Sequence, residues 1–242
     1  MFSKSEIKRL NALKIKKYRQ SKGLFVVEGP KILQDFLKSG HLPEKVYYCR
    51  HYSNAFSTLP ERVLQLVTDD ELKKVSSLMQ PQDCLAVFRI PESRPISDKG
   101  WILALDCIQD PGNMGTLIRI ADWFGFTDII CSKDTVDCYN PKVIQASMGS
   151  LARIQIHYKE LSNWLPECKR PVFGGMLNGE DIRNISFPED GVLLIGNEGN
   201  GIRPELLPYI QHFVTIPRLG QAESLNAGVA AGIMAAFALL SR

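Results

Sequence analysis

Between Trp101 and Leu240, short apolar runs alternate with helix-like segments, and this alternation constrains the fold more than any other feature. WILALD, TDIIC, RIQIHY, PVFGGM, GVLLIG and HFVTIP read as strands. GTLIRIADWFG, ending at Gly125, PKVIQASMG, LSNWLPEC and PELLPYI read as helices, and a long helix starts at about Ser224. Strands that are apolar on both faces and separated by helices predict a parallel sheet covered on both sides. The last apolar run, AGVAAGIMAAFALL, is too short to span a bilayer and reads as a buried helix. No membrane association is expected, and MFSKSEIKRL lacks the apolar block of a secretory signal.

The first half also mixes helix and strand. SKSEIKRLNALKIKKYRQ reads as a helix with Ser3 as a candidate N-cap. LFVVE, KVYYC, RVLQLV and CLAVFRI read as strands, and DDELKKVSSLM as a helix. PKILQDFLKSG reads as a helix with Pro30 in its first turn, stopped at Gly40. IPESRPISDKG, residues 90–100, is the predicted boundary, giving domains 1–92 and 93–242.

Charge divides along the same line. Residues 1–95 hold 17 Lys/Arg against 10 Asp/Glu, whereas residues 96–242 hold 12 against 16. The first 22 residues hold eight Lys/Arg and one Glu, so the first half suits a polyanion, or simply presents a solvated helix face. The six cysteines show no metal or redox spacing and read as small buried hydrophobes of a reducing cytoplasm.

In a parallel sheet, ligands bind at the loops beyond the C-terminal strand ends. Three such loops carry glycines beside polar side chains: DCIQDPGNMGTLIR, IGNEGNGIRPE and IPRLGQAESLNAG. None contains G-x-G-x-x-G, a phosphate-binding G-x-x-x-x-G-K-S/T or G-x-S-x-G, and none of the four histidines lies in them. Histidine-based hydrolysis and a histidine metal site are therefore not expected.

LDCIQDPGNMGTLIRIADWFG, LLIGNEGNGIRPEL and IPRLGQAESLNAGVAAGIMAAF resemble, in order and spacing, the three motifs of the SpoU (TrmH-like) RNA 2′-O-ribose methyltransferases. FVVEGPKILQDFLKSG and DCLAVF resemble the start and end of that family's small RNA-binding domain. The resemblance implies an α/β chain with a small N-terminal RNA-binding domain. It also implies a C-terminal parallel-sheet SPOUT domain with a deep trefoil knot. A cytoplasmic homodimer would use S-adenosylmethionine to methylate a ribose 2′-hydroxyl of RNA, ribosomal RNA before tRNA. Two alternatives are an RNA-binding protein of the same fold without catalysis and a doubly wound small-molecule enzyme.

Residue by residue, Asn113 and Arg119 match the polar pair of the first motif, Glu198 the acid of the second, and Ser224 and Asn226 the polar positions of the third. Gly196, Ile216 and Leu225 match cofactor-holding positions, and Leu177 and Gly179 are further candidates for that pocket. After Asn226 the chain reads AGVAAG where the family more usually has valine-serine. Arg119 suits a phosphate clamp, with the hydroxyl's proton acceptor left open. Asn113 is either an orienting group or a turn residue, and Glu198 holds loop amides or bonds Asn113 or Arg119. Ser224 is either functional or the cap of the last helix. Lys14, Lys16, Lys17, Arg19 and Lys22 are candidate phosphate contacts. Tyr18 and Tyr47 can stack on bases but fit packing better.

Overall fold

The computed structural model describes residues 2–50, 56 and 58–240. It contains two compact units, Met1–Glu92 with Asp137–Arg153, and Ser93–Val136 with Ile154–Arg242. His51 lies outside the described residues.

The first unit is built on a mixed sheet of β1 (Leu24–Glu28), β2 (Lys45–Tyr48), β3 (Leu64–Leu66) and β4 (Cys84–Arg89). The order is β1-β4-β2-β3, with β4 antiparallel to both neighbours and β2 parallel to β3. Strand alternation gives the sheet two apolar faces. Leu24, Leu85 and Val87 pack with Leu10, Leu13, Tyr47, Leu72 and Val75. Phe25 and Phe88 face the other way, against Phe36 and Tyr139. Tyr47 is buried against Phe2 and its hydroxyl reaches Glu6, so it is core, while Tyr18 remains 47% exposed.

The single N-terminal helix expected from the sequence is two, α1 (Lys4–Ala12) and α2 (Lys16–Lys22). Ser3 caps α1 in a reciprocal box with Glu6. Leu13 is driven into the core, and the chain restarts at Ile15, whose backbone is extended. α3 (Pro30–Lys38) follows β1, and α4 (Asp69–Lys73) is shorter than the periodicity suggested.

The second unit holds six strands: β5 (Trp101–Leu105), β6 (Asp128–Ser132), β7 (Gln155–Lys159), β8 (Val172–Asp181), β9 (Gly191–Ile195) and β10 (His212–Thr215). All are parallel, in the order β10-β8-β9-β5-β6-β7. The helices are α5 (Pro111–Phe124), α7 (Leu161–Glu167) and α8 (Ala227–Leu240), while α6 (Pro141–Ser147) belongs to the first unit. PELLPYI forms a 3₁₀ helix, Pro204–Tyr209, because two prolines withhold backbone donors. One core joins Ile102, Ile130, Val192 and Leu194 to Leu161, Leu165, Leu206 and Ile210, and α8 packs on α5, β8 and β9. The stretch after Glu92 is bound along this sheet: Gln155 donates to Arg94 O, Ser97 N to Asp128, and Arg170 to Ser97 O.

Chain order turns back beside β5, whose neighbours are β6 on one side and β9 on the other. The loops leaving β5 and β9 therefore diverge at a topological switch point, where a parallel sheet opens a crevice.

Candidate active site

α5 begins earlier than its apolar periodicity indicated. Asp110 is its N-cap, Pro111 opens the first turn, and Asp110 Oδ1 accepts from Asn113 N at 2.8 Å. Asn113 is thus a rigid helical residue rather than a turn residue. Its Nδ2 donates to Glu198 Oε1 at 2.6 Å, and its Oδ1 accepts from Asn226 Nδ2 at 2.8 Å. These two bonds join the first, second and third motif loops through one side chain.

Asn226, not Ser224, caps the last helix. The helix starts at Ala227, and Asn226 Oδ1 accepts from Gly228 N at 2.9 Å and Val229 N at 3.4 Å. Ser224 is exposed in the preceding loop, and no hydrogen bond places it in the network among the described residues.

The loop after β9 closes on itself through paired backbone bonds between Asn197 and Gly201, at 3.0 and 2.9 Å. Any Cβ on Gly196 would run into the backbone of Gly201 and Ile202, so this closure requires glycine. Asn197 Oδ1 accepts from Gly199 N and Asn200 N, while Nδ2 donates to Cys107 O at 2.8 Å and Glu198 Oε2 at 3.3 Å. Cys107 presents that carbonyl from a left-handed backbone, φ 56°. Its thiol is pushed up by burial and by Asp134, which keeps it from acting as a thiolate.

Beneath this lie two residues that sequence reasoning missed. Asp106, fully buried at the end of β5, accepts from Arg203 N at 2.9 Å, Nε at 2.7 Å and Nη2 at 2.5 Å. Arg203 Nη1 reaches Asp134 at 3.3 Å. Burial opposes the charge on Asp134, but Ser132, its own backbone amide and Arg203 hold its carboxyl below the usual range. The sequence signal was present, because an aspartate ending an apolar strand needs a cationic partner, but nothing local names that partner.

Arg119 is not brought into the Asn113 network. It is exposed on α5, six residues and about 9 Å of rise beyond Asn113. No hydrogen bond or ion pair holds it among the described residues. Trp123, one turn on, is 85% exposed.

Leu177 and Gly179 lie on an excursion of β8. Pairing with β10 runs from Phe173 and Gly174 directly to Glu180 and Asp181, so residues 175–179 loop out. A Cβ on Gly179 would meet Phe213 O at 2.5 Å, which makes this glycine a requirement of strand packing whatever it binds. Ile216 follows β10 and is half-buried. Leu177, Leu219 and Leu225 are 69%, 100% and 47% exposed.

Of the basic residues, Arg19 is a correction. It is buried, its Nε and Nη2 bind Asp137 Oδ2 at 2.9 and 2.5 Å, and its Nη1 binds the carbonyls of Leu13 and Lys14. Four of its five N–H donors are thus committed inside the fold and its side chain is buried, so it is a structural brace and not a phosphate contact. Lys14 Nζ is bound to Ser76 O at 2.8 Å. Lys16, Lys17 and Lys22 are exposed. Among the described residues no three His, Cys, Asp or Glu side chains cluster as a metal site, and no helix is long and apolar enough to cross a membrane.

Comparison with known proteins places this geometry. Residues 100–236 match the SpoU rRNA Methylase family and residues 4–86 the MRM3-like substrate binding domain. The chain is 31% identical to the 23S rRNA (guanosine(2553)-2′-O)-methyltransferase RlmP of Bacillus subtilis, over 95% of this chain and 94% of that one. A structure from Porphyromonas gingivalis, described as of the TrmH family of RNA methyltransferases, superposes with TM-score 0.92 at 33% identity over 100% of both chains. An AdoMet-bound rRNA methyltransferase from Sinorhizobium meliloti superposes with TM-score 0.88 at 28% identity, over 98% of this chain and 96% of that one. With its three motif loops joined through Asn113 at the switch point of a parallel sheet, this chain belongs to the SpoU rRNA methylase family.

Proposed function

We propose that this protein transfers the methyl group of S-adenosylmethionine to a ribose 2′-hydroxyl of ribosomal RNA. The observation that carries this reading is the Glu198–Asn113–Asn226 chain of hydrogen bonds, which assembles the three loops into one site. Residues 1–92 act as the RNA-binding domain, and residues 93–242 form the methyltransferase domain with the trefoil knot.

The residues present fit the cofactor. Gly196 permits the tight closure of the loop after β9, and Ile216, Leu225 and Leu177 offer apolar surface to an adenine ring. Bound there, S-adenosylmethionine supplies a sulfonium-activated methyl group. The chain's own task is alignment of the hydroxyl with that methyl and exclusion of water. Each Glu198 oxygen already accepts an amide hydrogen bond, one from Asn113 and one from Asn197, so Glu198 anchors the loops. Asn113 and Asn226 are held in single orientations by both ends of their amides. The Arg119 guanidinium clamps the phosphate beside the target ribose.

Arg119 and Trp123 share one exposed face of α5, and Val229 and Leu240 on α8 are 51% and 71% exposed. A second copy of the chain covering this apolar surface makes a cytoplasmic homodimer whose partner completes the site around Arg119. Lys17 and Lys22 supply phosphate contacts.

The test is transfer of radiolabelled methyl from S-adenosylmethionine to RNA lacking its modifications. Ribose-linked label in the large ribosomal RNA is expected, and label confined to tRNA replaces the substrate assignment. Arg119→Ala should abolish transfer while cofactor binding and melting temperature persist. Turnover by that variant at the wild-type rate removes Arg119 from the mechanism.

A further inference from the structure

The Asn113 network explains how the three loops meet but not what holds the loop after β9 in register with β5. Asn197 and Glu198 attach one side of that loop to Cys107 and Asn113. The other side leaves at Ile202, whose side chain is buried in the core, and a polar attachment follows at the next residue. Arg203 is the attachment. Its backbone N–H and two guanidinium nitrogens converge on the two oxygens of Asp106, a carboxylate with no solvent exposure. The remaining arm of the guanidinium reaches Asp134, in the loop after β6. Asp134 is itself held by Ser132 Oγ at 2.5 Å, and Ser132 Oγ accepts from Cys107 N at 2.8 Å. One side chain thus cinches the loops leaving β5, β6 and β9.

We infer that Arg203 is a positioning residue for methyl transfer: bound to Asp106 and Asp134, it locks the Gly196–Ile202 loop in the cofactor-binding conformation. The inference rests on the methyltransferase reading for its consequence, though not for the lock itself. Nε and Nη2 of the guanidinium meet on Asp106 Oδ1 while Nη1 turns to Asp134, a division of donors between two acids that suits a planar guanidinium and not a compact ammonium. Arg203 bonds to no member of the Asn113–Glu198–Asn226 network, so its loss should weaken cofactor binding more than it slows chemistry at saturation.

Arg203→Lys in the full chain is the test, read by amide hydrogen exchange across residues 196–202, by calorimetric S-adenosylmethionine affinity, and by kinetics. The expected result is a folded protein whose loop amides exchange about tenfold faster, with affinity for S-adenosylmethionine weakened about tenfold and kcat at saturation changed less than about threefold. If Arg203→Lys does not fold, the neutral pair Asp106→Asn with Arg203→Gln removes both charges together and is expected to behave in the same way. Loop exchange and affinity equal to wild type in either folded variant overturn the lock. If the wild-type protein binds no S-adenosylmethionine, the methyltransferase reading fails. The exchange result still decides the lock.

Discussion

Asn113→Asp replaces one NH₂ by an oxygen and leaves the side chain the same size, so it isolates the contact that joins the loops. In the native site the Nδ2 donates to Glu198 at 2.6 Å while Oδ1 receives a bond from Asn226. In the variant the second bond survives and the first becomes a meeting of two carboxylates. Loss of a hydrogen bond to a charged group costs about 1.5–3 kcal/mol. Two unit charges about 4 Å apart repel by about 1 kcal/mol in water and about 4 kcal/mol at an effective dielectric of about 20. Both side chains are half-exposed, so the repulsion belongs toward the lower figure and the neutral-pH penalty is about 3–4 kcal/mol. Like charges raise the carboxyl pKa of the variant pair above its unfolded value. The penalty is then full at pH above that raised value and is relieved as pH falls through it toward the unfolded value. The assay is chemical denaturation of both proteins at about pH 8 and about pH 5, where the stability gap should narrow as pH falls. Asn113→Ala, which loses both bonds without adding the repulsion, should keep a constant gap. An Asn113→Asp protein with a pH-independent gap, or with native stability and transfer at pH 8, refutes the loop junction.

Other consequences separate braces from contacts. Arg19→Met leaves Asp137, which is half-buried, without its cation and should cost about 3 kcal/mol by denaturant melting. Lys17→Ala should change stability by less than about 0.5 kcal/mol, yet lower the slope of log RNA affinity against log salt by about one. Backbone hydrogen bonding at Ser3 holds the Glu6 carboxyl below its ordinary range. Its contribution is therefore present above the unfolded pKa and lost as pH falls through the lowered folded value. Glu6→Gln should flatten the melting temperature against pH profile below about pH 5, and an unchanged profile discounts the cap.

What the sequence determined by itself was local. The alternation after Trp101, the proline opening α3 and the capping serine before α1 follow from steric and hydrogen-bonding rules acting over a few residues, and the structure keeps each. The three polar, glycine-bearing loops were legible because such composition is costly unless backbone must approach something closely. The tertiary structure alone decided which groups met. Only the placement of β9 beside β5 brings Glu198 to Asn113, 85 residues away in the chain. Arg19 looked like its solvated neighbours until Asp137, 118 residues on, took its charge inward. Ser224 was the cap that residue type offered, and the role fell to Asn226, whose oxygen takes the first helical amides while its NH₂ reaches Asn113. Asp106 signalled the need for a cation but not which one, since only the pairing of β5 with β9 brings Arg203, 97 residues on, to its carboxylate.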